Sequence, residues 1–312
     1  MMPNFFNHPL RCLFLFFLCF LPCSNAYLTT QVQAQRPPVR QLEAPELKLE
    51  RYPLNQTNKT APYLSAYSAI VVDGLSKTVM FSKNPDVRLR PASTTKIMTA
   101  LVALDHYSLN KVIILDEVEE IGQQMGLEEG EQLTIESLLY GLLVKSGNDA
   151  AFALAQYYDG GPPAFINAMN QKAQVFNLNN TQFKNPSGID QFDHYSTVRD
   201  LALLTAEALK SPVFTEIVST AGVTIGDIEE KNFHELENVN QLLGKIPGLK
   251  GVKTGWTALA GECLVTMVER NDRQIITVLL KSEDRFGETE KLIDWVFANF
   301  EWVEIKELEI SN

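Results

Sequence analysis

Residues 263–280 read CLVTMVERNDRQIITVLL. Two apolar, β-rich runs, 263–268 and 274–280, flank the polar turn Arg270-Asn271-Asp272-Arg273, which is the pattern of a β-hairpin. Far upstream, Ser68–Val72 and Thr78–Phe81 make a similar pair around the turn signal Asp73-Gly74. Beyond the downstream hairpin, Glu288–Phe300 places Leu292, Trp295, Val296 and Phe300 on one helical face, suited to pack on a sheet. The middle of the chain has helical spacing instead. Thr95 to about His106 carries Ile97, Met98, Leu101 and Leu104, and Ile135–Val144, Asp149–Tyr158 and Ala164–Phe176 are further candidates. Val198–Leu209 follows Ser196-Thr197, with Asp200 placed to close a capping box from Thr197. Strands at both ends with helices between predict an α/β (α+β) fold. It is one antiparallel sheet built from both chain ends, flanked by helices, with an inserted helical lobe.

The 312 residues carry 45% hydrophobic and 21% charged residues, a composition able to bury a sizeable core. A net charge of −11 argues against nucleic-acid binding, which needs a basic stripe. Three of the four cysteines, Cys12, Cys19 and Cys23, fall in the first 26 residues. There the single charge Arg11 precedes an apolar run ending at Leu21, Pro22 breaks the run, and Ser24-Asn25-Ala26 offers a cleavage site. This is the layout of a secretory signal peptide, and the run is short for a membrane-spanning helix. Cleavage after Ala26 leaves 26 basic against 38 acidic residues, a net charge of −12, and Cys263 as the one cysteine. No intramolecular disulfide is then expected. Residues 27–60, with Pro37, Pro38, Pro45 and Pro53 among polar residues, read as a linker or N-terminal arm. Residues 61–304 read as the catalytic domain and 305–312 as a C-terminal tail.

The four histidines, His8, His106, His194 and His234, show no metal-ligand spacing, so no metal and no cofactor are expected. His194 and His234 read as loop or surface residues. There is no G-x-S-x-G elbow. A serine can instead be activated by a lysine. Ser93-Thr94-Thr95-Lys96 opens a helix, so the i, i+3 spacing puts Lys96 one turn from Ser93 on the same face. The helix N-terminus favours negative charge developing at Ser93, and a buried lysine beside a second cation can act as a base. About one S-x-x-K is expected by chance in a chain of this length, and Ser108-Leu109-Asn110-Lys111 is a second copy without a helix start to orient it. Two further elements distinguish the first copy. Ser146-Gly147-Asn148, between two helical segments, offers a hydroxyl and a carboxamide on a tight turn. Lys253-Thr254-Gly255, just before the strand 263–268, offers a cation, a hydroxyl and a residue small enough to let a substrate backbone approach.

S-x-x-K, S-x-N and K-T-G in this order resemble the signature set of penicillin-binding proteins and class A β-lactamases. The stretches PASTTKIMTALVALD, LLYGLLVKSGNDAAFALA, FKNPSGID with HYSTVRDLALL, GLKGVKTGWTALAGECLV and RFGETEKLIDWVF are most similar to the D-alanyl-D-alanine carboxypeptidases among the low-molecular-mass penicillin-binding proteins. They run from about Ser65 to Phe300. The resemblance implies a β-lactamase/transpeptidase-like fold and a serine peptidase that removes the terminal D-alanine of peptidoglycan stem peptides through an acyl-enzyme. It implies Ser93 as nucleophile, Lys96 as its general base and Ser146 as a proton relay toward the leaving group. Asn148 binds the substrate chain. Lys253 and Thr254 recognise the terminal carboxylate together with Arg285, and Gly255 leaves room for the substrate backbone. The N–H groups of Ser93 and Trp256 form the oxyanion hole. It further implies covalent inhibition by β-lactams and a role in cell-wall biogenesis and cell shape. A monomer is expected, exported to the periplasm or the cell exterior, with no nucleic-acid partner.

Three departures from the family pattern stand out. Ser187 occupies a position where relatives usually have histidine. The chain stops at Asn312, so the further β-rich domain and C-terminal membrane anchor of many relatives are expected to be missing. There is no E-x-x-L-N segment, whose glutamate drives water onto the acyl-enzyme in class A β-lactamases, which favours a peptidase over a lactamase. The alternatives are a D,D-endopeptidase cleaving cross-links with the same residues, a β-lactamase, and a wall-binding module without turnover. A fluorescent penicillin is expected to label the protein covalently, to label Ser108→Ala equally, and to fail on Ser93→Ala in a gel assay. Labelling that survives Ser93→Ala overturns the choice of nucleophile.

Overall fold

In a strand covered on both sides, successive side chains serve opposite faces, so both sets must be apolar. This condition selects the strands of the central sheet. The computed structural model describes residues 51–118 and 121–304. Its five-stranded sheet contains β2 (Ser68–Asp73), β3 (Val79–Lys83), β8 (Leu249–Thr257), β9 (Gly261–Arg270) and β10 (Arg273–Ser282). The order is β3-β2-β10-β9-β8, and every neighbouring pair is antiparallel. The upstream hairpin thus joins the downstream strands, and the helical region lies between them in the chain, as the patterning predicts. Along β10, Ile276, Val278 and Leu280 face the helical lobe, whereas Ile275 and Leu279 pack with α7 (Arg285–Asn299) through Leu292, Ile293 and Val296. The β9–β10 turn has Asn271 and Asp272 at φ 52° and 59°, the two left-handed residues of a tight hairpin turn.

The lobe comprises α1 (Lys96–His106), preceded by a 3₁₀ turn (Ala92–Thr95), α2 (Ile135–Tyr140), α3 (Asn148–Gln156), α4 (Gly161–Val175), α5 (Val198–Ala208) and α6 (Pro212–Ser219). Two small sheets, β4 (Val112–Ile114) with β5 (Gln132–Thr134) and β6 (Gly222–Gly226) with β7 (Phe233–Glu237), lie in the same stretch of chain.

Several expectations need correction. Ile135–Val144 is not one helix: α2 stops at Tyr140 and a π-helical turn, Gly141–Lys145, carries the chain to Ser146. The capping box at α5 is half made. Thr197 Oγ1 accepts from Asp200 N at 3.0 Å, but Asp200 Oδ2 accepts from Asn180 N and Thr181 Oγ1 instead. Helix α7 starts three residues earlier than read, because Asp284 Oδ1 caps it by accepting from Gly287 N at 2.9 Å. Residues 51–55, read as part of the arm, form strand β1 (Arg51–Asn55), paired antiparallel with β11 (Phe300–Glu304). Its partner lies at the other end of the chain, so no local pattern announces it. The signal segment 1–26, most of the arm and the tail 305–312 lie outside the described residues. Among the described residues no helix is long and apolar enough to cross a membrane.

Truncation of a side chain shared by the sheet and α7 should be costly. Leu279→Ala, at a fully buried site, is expected to lower stability by about 3 kcal/mol in urea unfolding. Leu75→Ala, 71% exposed, should change it by less than about 0.5 kcal/mol.

Candidate active site

A lysine amine in water holds its proton; one stripped of water beside another cation does not. Lys96 meets that condition. It is the first residue of α1 and is fully buried. Its Nζ lies 3.1 Å from Ser93 Oγ, on the preceding 3₁₀ turn, and donates to Asn148 Oδ1 at 2.6 Å and to Ser187 O at 2.7 Å. All three contacts are uncharged. Burial, and then the charge of Lys253, hold the Lys96 pKa well below the ordinary lysine value, while Asp149 acts in the opposite direction. A neutral amine has two N–H bonds and one lone pair. Two donations to fixed acceptors leave the lone pair for the Ser93 hydroxyl.

The second lysine, Lys253, lies in β8, and its Nζ donates to Thr254 O at 3.1 Å. Burial, then the Arg285 charge, lower its pKa to about 7. The K-T-G triplet precedes the strand that carries 263–268, as the sequence suggested, and itself lies within β8, an edge strand of the sheet. Its glycine is required sterically. A Cβ on Gly255 would sit 2.9 Å from Ser93 N and 3.0 Å from Ala92 Cβ, so only glycine lets β8 lie against the turn that carries Ser93. Arg285, at the start of α7, donates from a terminal guanidinium nitrogen to Gly255 O at 2.7 Å. Ser93, Ser146, Asn148, Thr254, Gly255, Trp256 and Arg285 all line one cleft of ≈ 830 Å³. The three motifs, more than 150 residues apart at their extremes, thus converge on one place with Lys96 and Lys253 buried beside it. The other S-x-x-K does not: Ser108 and Lys111 are exposed, and Lys111 Nζ lies over the Tyr107 ring.

Some supporting groups escaped the sequence reading. Asp149, next to Asn148, is a buried carboxylate that accepts from the backbone N–H groups of Met125, Gly126 and Leu127 at 2.9–3.2 Å. It thereby secures the irregular wall segment whose Ile121 O accepts from Asn148 Nδ2 at 2.7 Å and whose Gln123 O accepts from Asn148 N at 2.6 Å. Its adjacency to the S-x-N motif was the available signal. Ser187 acts through its carbonyl oxygen, which any residue supplies, so the departure from histidine leaves the contact to Lys96 intact. Gly188, at φ 87°, keeps this segment close: a Cβ there would fall 1.9 Å from Ala92 O.

Neither His194 nor His234 is a surface residue. Lys184 N donates to His194 Nδ1, so Nε2 carries the proton and donates to Thr95 Oγ1 at 2.9 Å. Burial drives the His194 pKa down to about 4, which keeps the imidazole neutral beneath the S-x-x-K turn. His234 points inward from β7, where strand alternation places it, and its Nε2 meets Glu131 Oε1 at 2.9 Å.

The fold, with its cleft between a sheet edge and a helical lobe, is that of the penicillin-binding DD-peptidases, of the β-lactamase/transpeptidase-like kind. The crystal structure of the Streptomyces K15 DD-transpeptidase superimposes with a TM-score of 0.72 at 31% identity, covering 77% of this chain and 100% of that one. The family profile described as D-alanyl-D-alanine carboxypeptidase matches residues 55–284, and the chain belongs to that family. D-alanyl-D-alanine carboxypeptidase DacF of Bacillus subtilis (strain 168) is 34% identical over 246 residues, 76% of this chain and 63% of that protein. A D-alanyl-D-alanine endopeptidase of Pseudomonas aeruginosa is 34% identical over 229 residues, 72% of this chain and 73% of that protein. The chain spans just under two thirds of the length of DacF and of two further curated carboxypeptidases, at 63%, 65% and 64%.

Asp149 favours the Lys96 ammonium, so its removal lowers the Lys96 pKa further and keeps the base form to lower pH. Asp149→Asn is therefore expected to move the acid limb of Ser93 acylation to lower pH and to reduce its plateau on the order of ten-fold. Stopped-flow labelling across pH checks this. A lower plateau with an unmoved limb would assign Asp149 a purely structural role.

Proposed function

We propose that this chain is a serine-type D-Ala-D-Ala carboxypeptidase that removes the terminal D-alanine from peptidoglycan stem peptides. The observation that carries this reading is the dry Lys96 amine 3.1 Å from Ser93 Oγ at the base of an open cleft. Lys96, unprotonated, takes the hydroxyl proton as Ser93 Oγ attacks the carbonyl carbon of the penultimate residue. The N–H groups of Ser93 and Trp256 stabilise the oxyanion, helped by the start of the helix. Ser146 passes a proton to the departing amine, and water then hydrolyses the ester. Asn148 orients the peptide while it also fixes Lys96.

The substrate terminus carries one negative charge, and Lys253, Thr254 and Arg285 are the groups suited to receive it. Lys253, with a pKa of about 7, is only partly charged at neutral pH, and a bound carboxylate favours its protonated form. The same arrangement is suited to acylation by β-lactams. Export to the periplasm or cell exterior, through the segment 1–26, would bring the enzyme to this substrate and to a role in cell-wall biogenesis.

Incubation with a monomeric pentapeptide muropeptide should release free D-alanine in proportion to enzyme, with a tetrapeptide as the second product by mass spectrometry. Ser93→Ala and Lys96→Ala should each lower kcat/KM by about a thousand-fold or more. Stoichiometric binding without D-alanine release would instead identify a wall-binding module, and rapid nitrocefin turnover a β-lactamase.

A further inference from the structure

The N–H groups of Ser93 and Trp256 belong to elements far apart in the chain. An oxyanion is held by both only if the two donors stand at hydrogen-bond distance from the same point. The 3₁₀ turn that carries Ser93 and the end of β8 must therefore be fixed to one another. Gly255 lets them approach, but room to approach does not hold them there. A carboxylate outside all three motifs supplies the tie.

Asp190 follows Ser187, Gly188 and Ile189 and lines the cleft. Its two oxygens serve different partners. Oδ1 accepts from Thr257 Oγ1 at 2.9 Å, and Oδ2 accepts from Leu259 N at 3.3 Å. Thr257 is the last residue of β8 and directly follows Trp256, and its Oγ1 in turn accepts from Ala260 N at 2.9 Å. The turn between β8 and β9 is thus anchored to this side chain. Asp190 Oδ1 also lies 3.5 Å from Arg90 Nε, a buried nitrogen with no hydrogen bond among the described residues. Arg90 leads through Pro91 and Ala92 to Ser93. The loop that carries Asp190 is itself braced by Asn185. Its Nδ2 donates to Ile189 O at 3.1 Å and to Gln191 Oε1 at 3.0 Å, and its Oδ1 accepts from Gly188 N at 2.7 Å. The same loop presents Ser187 O to Lys96 Nζ. One carboxylate therefore meets the end of β8, the chain leading to the nucleophile and the loop that holds the base.

The chemical type fits the task. Serving a hydroxyl and a backbone N–H at once takes two acceptor atoms on a short stem. A carboxamide would offer one acceptor and turn its NH₂ toward a donor. Arg90 balances a negative charge that would otherwise face the anion forming in the cleft.

We propose that Asp190 is a positioning residue of the acyl transfer, setting the spacing between Ser93 N and Trp256 N and so the fit of the oxyanion hole. This rests on the acyl-transfer reading given above. Asp190 acts through Thr257, Leu259 and Arg90 rather than on the reacting atoms.

The test measures acylation of the purified protein by a depsipeptide ester and by its thionoester, in which sulfur replaces the attacked carbonyl oxygen. Sulfur is larger and a weaker acceptor, so a well-fitted oxyanion hole favours the oxygen substrate and a loosened one favours it less. Asp190→Ala and Thr257→Val remove the same tie from opposite ends. Each should lower kcat/KM on the ester about ten-fold while changing it on the thionoester by less than about three-fold. Asp190→Asn, which keeps one acceptor, should fall between Asp190→Ala and the unaltered protein. The double variant should lose no more than Asp190→Ala alone, because the two changes break one connection. An ester-to-thionoester ratio that is unchanged in both single variants overturns the inference, whether the two rates fall together or neither falls. An unaltered protein that the ester does not acylate overturns the acyl-transfer reading, and the inference falls with it.

Discussion

One amine kept away from water is the constraint on which the rest of this structure depends. Lys96 Nζ is fully buried and contacts one hydroxyl, one carboxamide and one backbone carbonyl. Each acceptor comes from a different part of the chain, so the 3₁₀ turn, the start of α3 and the segment 187–188 must all reach the same point. Gly188 and Gly255 permit that convergence, because a methyl group at either position would collide with the turn that carries Ser93. The sheet edge formed by β8 closes the site and adds Lys253, whose charge makes the Lys96 ammonium less favourable still.

The wall opposite β8 depends on a buried anion. Asp149 has three backbone donors from the segment 125–127 in place of water, which satisfies the acceptor capacity of a buried carboxylate. Its position ties the orientation of Asn148 to the proton affinity of Lys96. His194 serves the other side of the same turn. Neutral and doubly hydrogen-bonded, it fills the space beneath Thr95 without adding a further charge near the lysines.

Elements with local signals were legible in the sequence. The hairpins around Asp73-Gly74 and Asn271-Asp272 were visible, as were α1 and α5, because turn chemistry and apolar period act over a few residues. Strand β1 was not, because Arg51–Asn55 becomes a strand only through pairing with Phe300–Glu304 at the far end of the chain. The break of α2 at Tyr140 was also hidden, since GLLVK has good helical residues and the π-turn is tied to a distant segment, Val239 N donating to Val144 O. His194 and His234 were misjudged for a related reason. Polar residue types say little about burial when a side-chain partner, Thr95 or Glu131, waits in a distant segment.

By itself the sequence determined which chemical groups are present, their order in three short motifs, and the two-ended sheet with a helical insert. Local geometry suffices for that much, since a helical turn brings Ser93 and Lys96 together wherever the helix lies. Only the tertiary structure decided that Lys96 is stripped of water beside a second cation, that Ser108-Leu109-Asn110-Lys111 lies exposed, and that Lys145 and Glu237 line the same cleft as Ser146. Proton affinity depends on desolvation and on nearby charges, and both are set by atoms brought in from distant parts of the chain. A serine and a lysine one turn apart are common; what the folded chain adds is the absence of water around one of them.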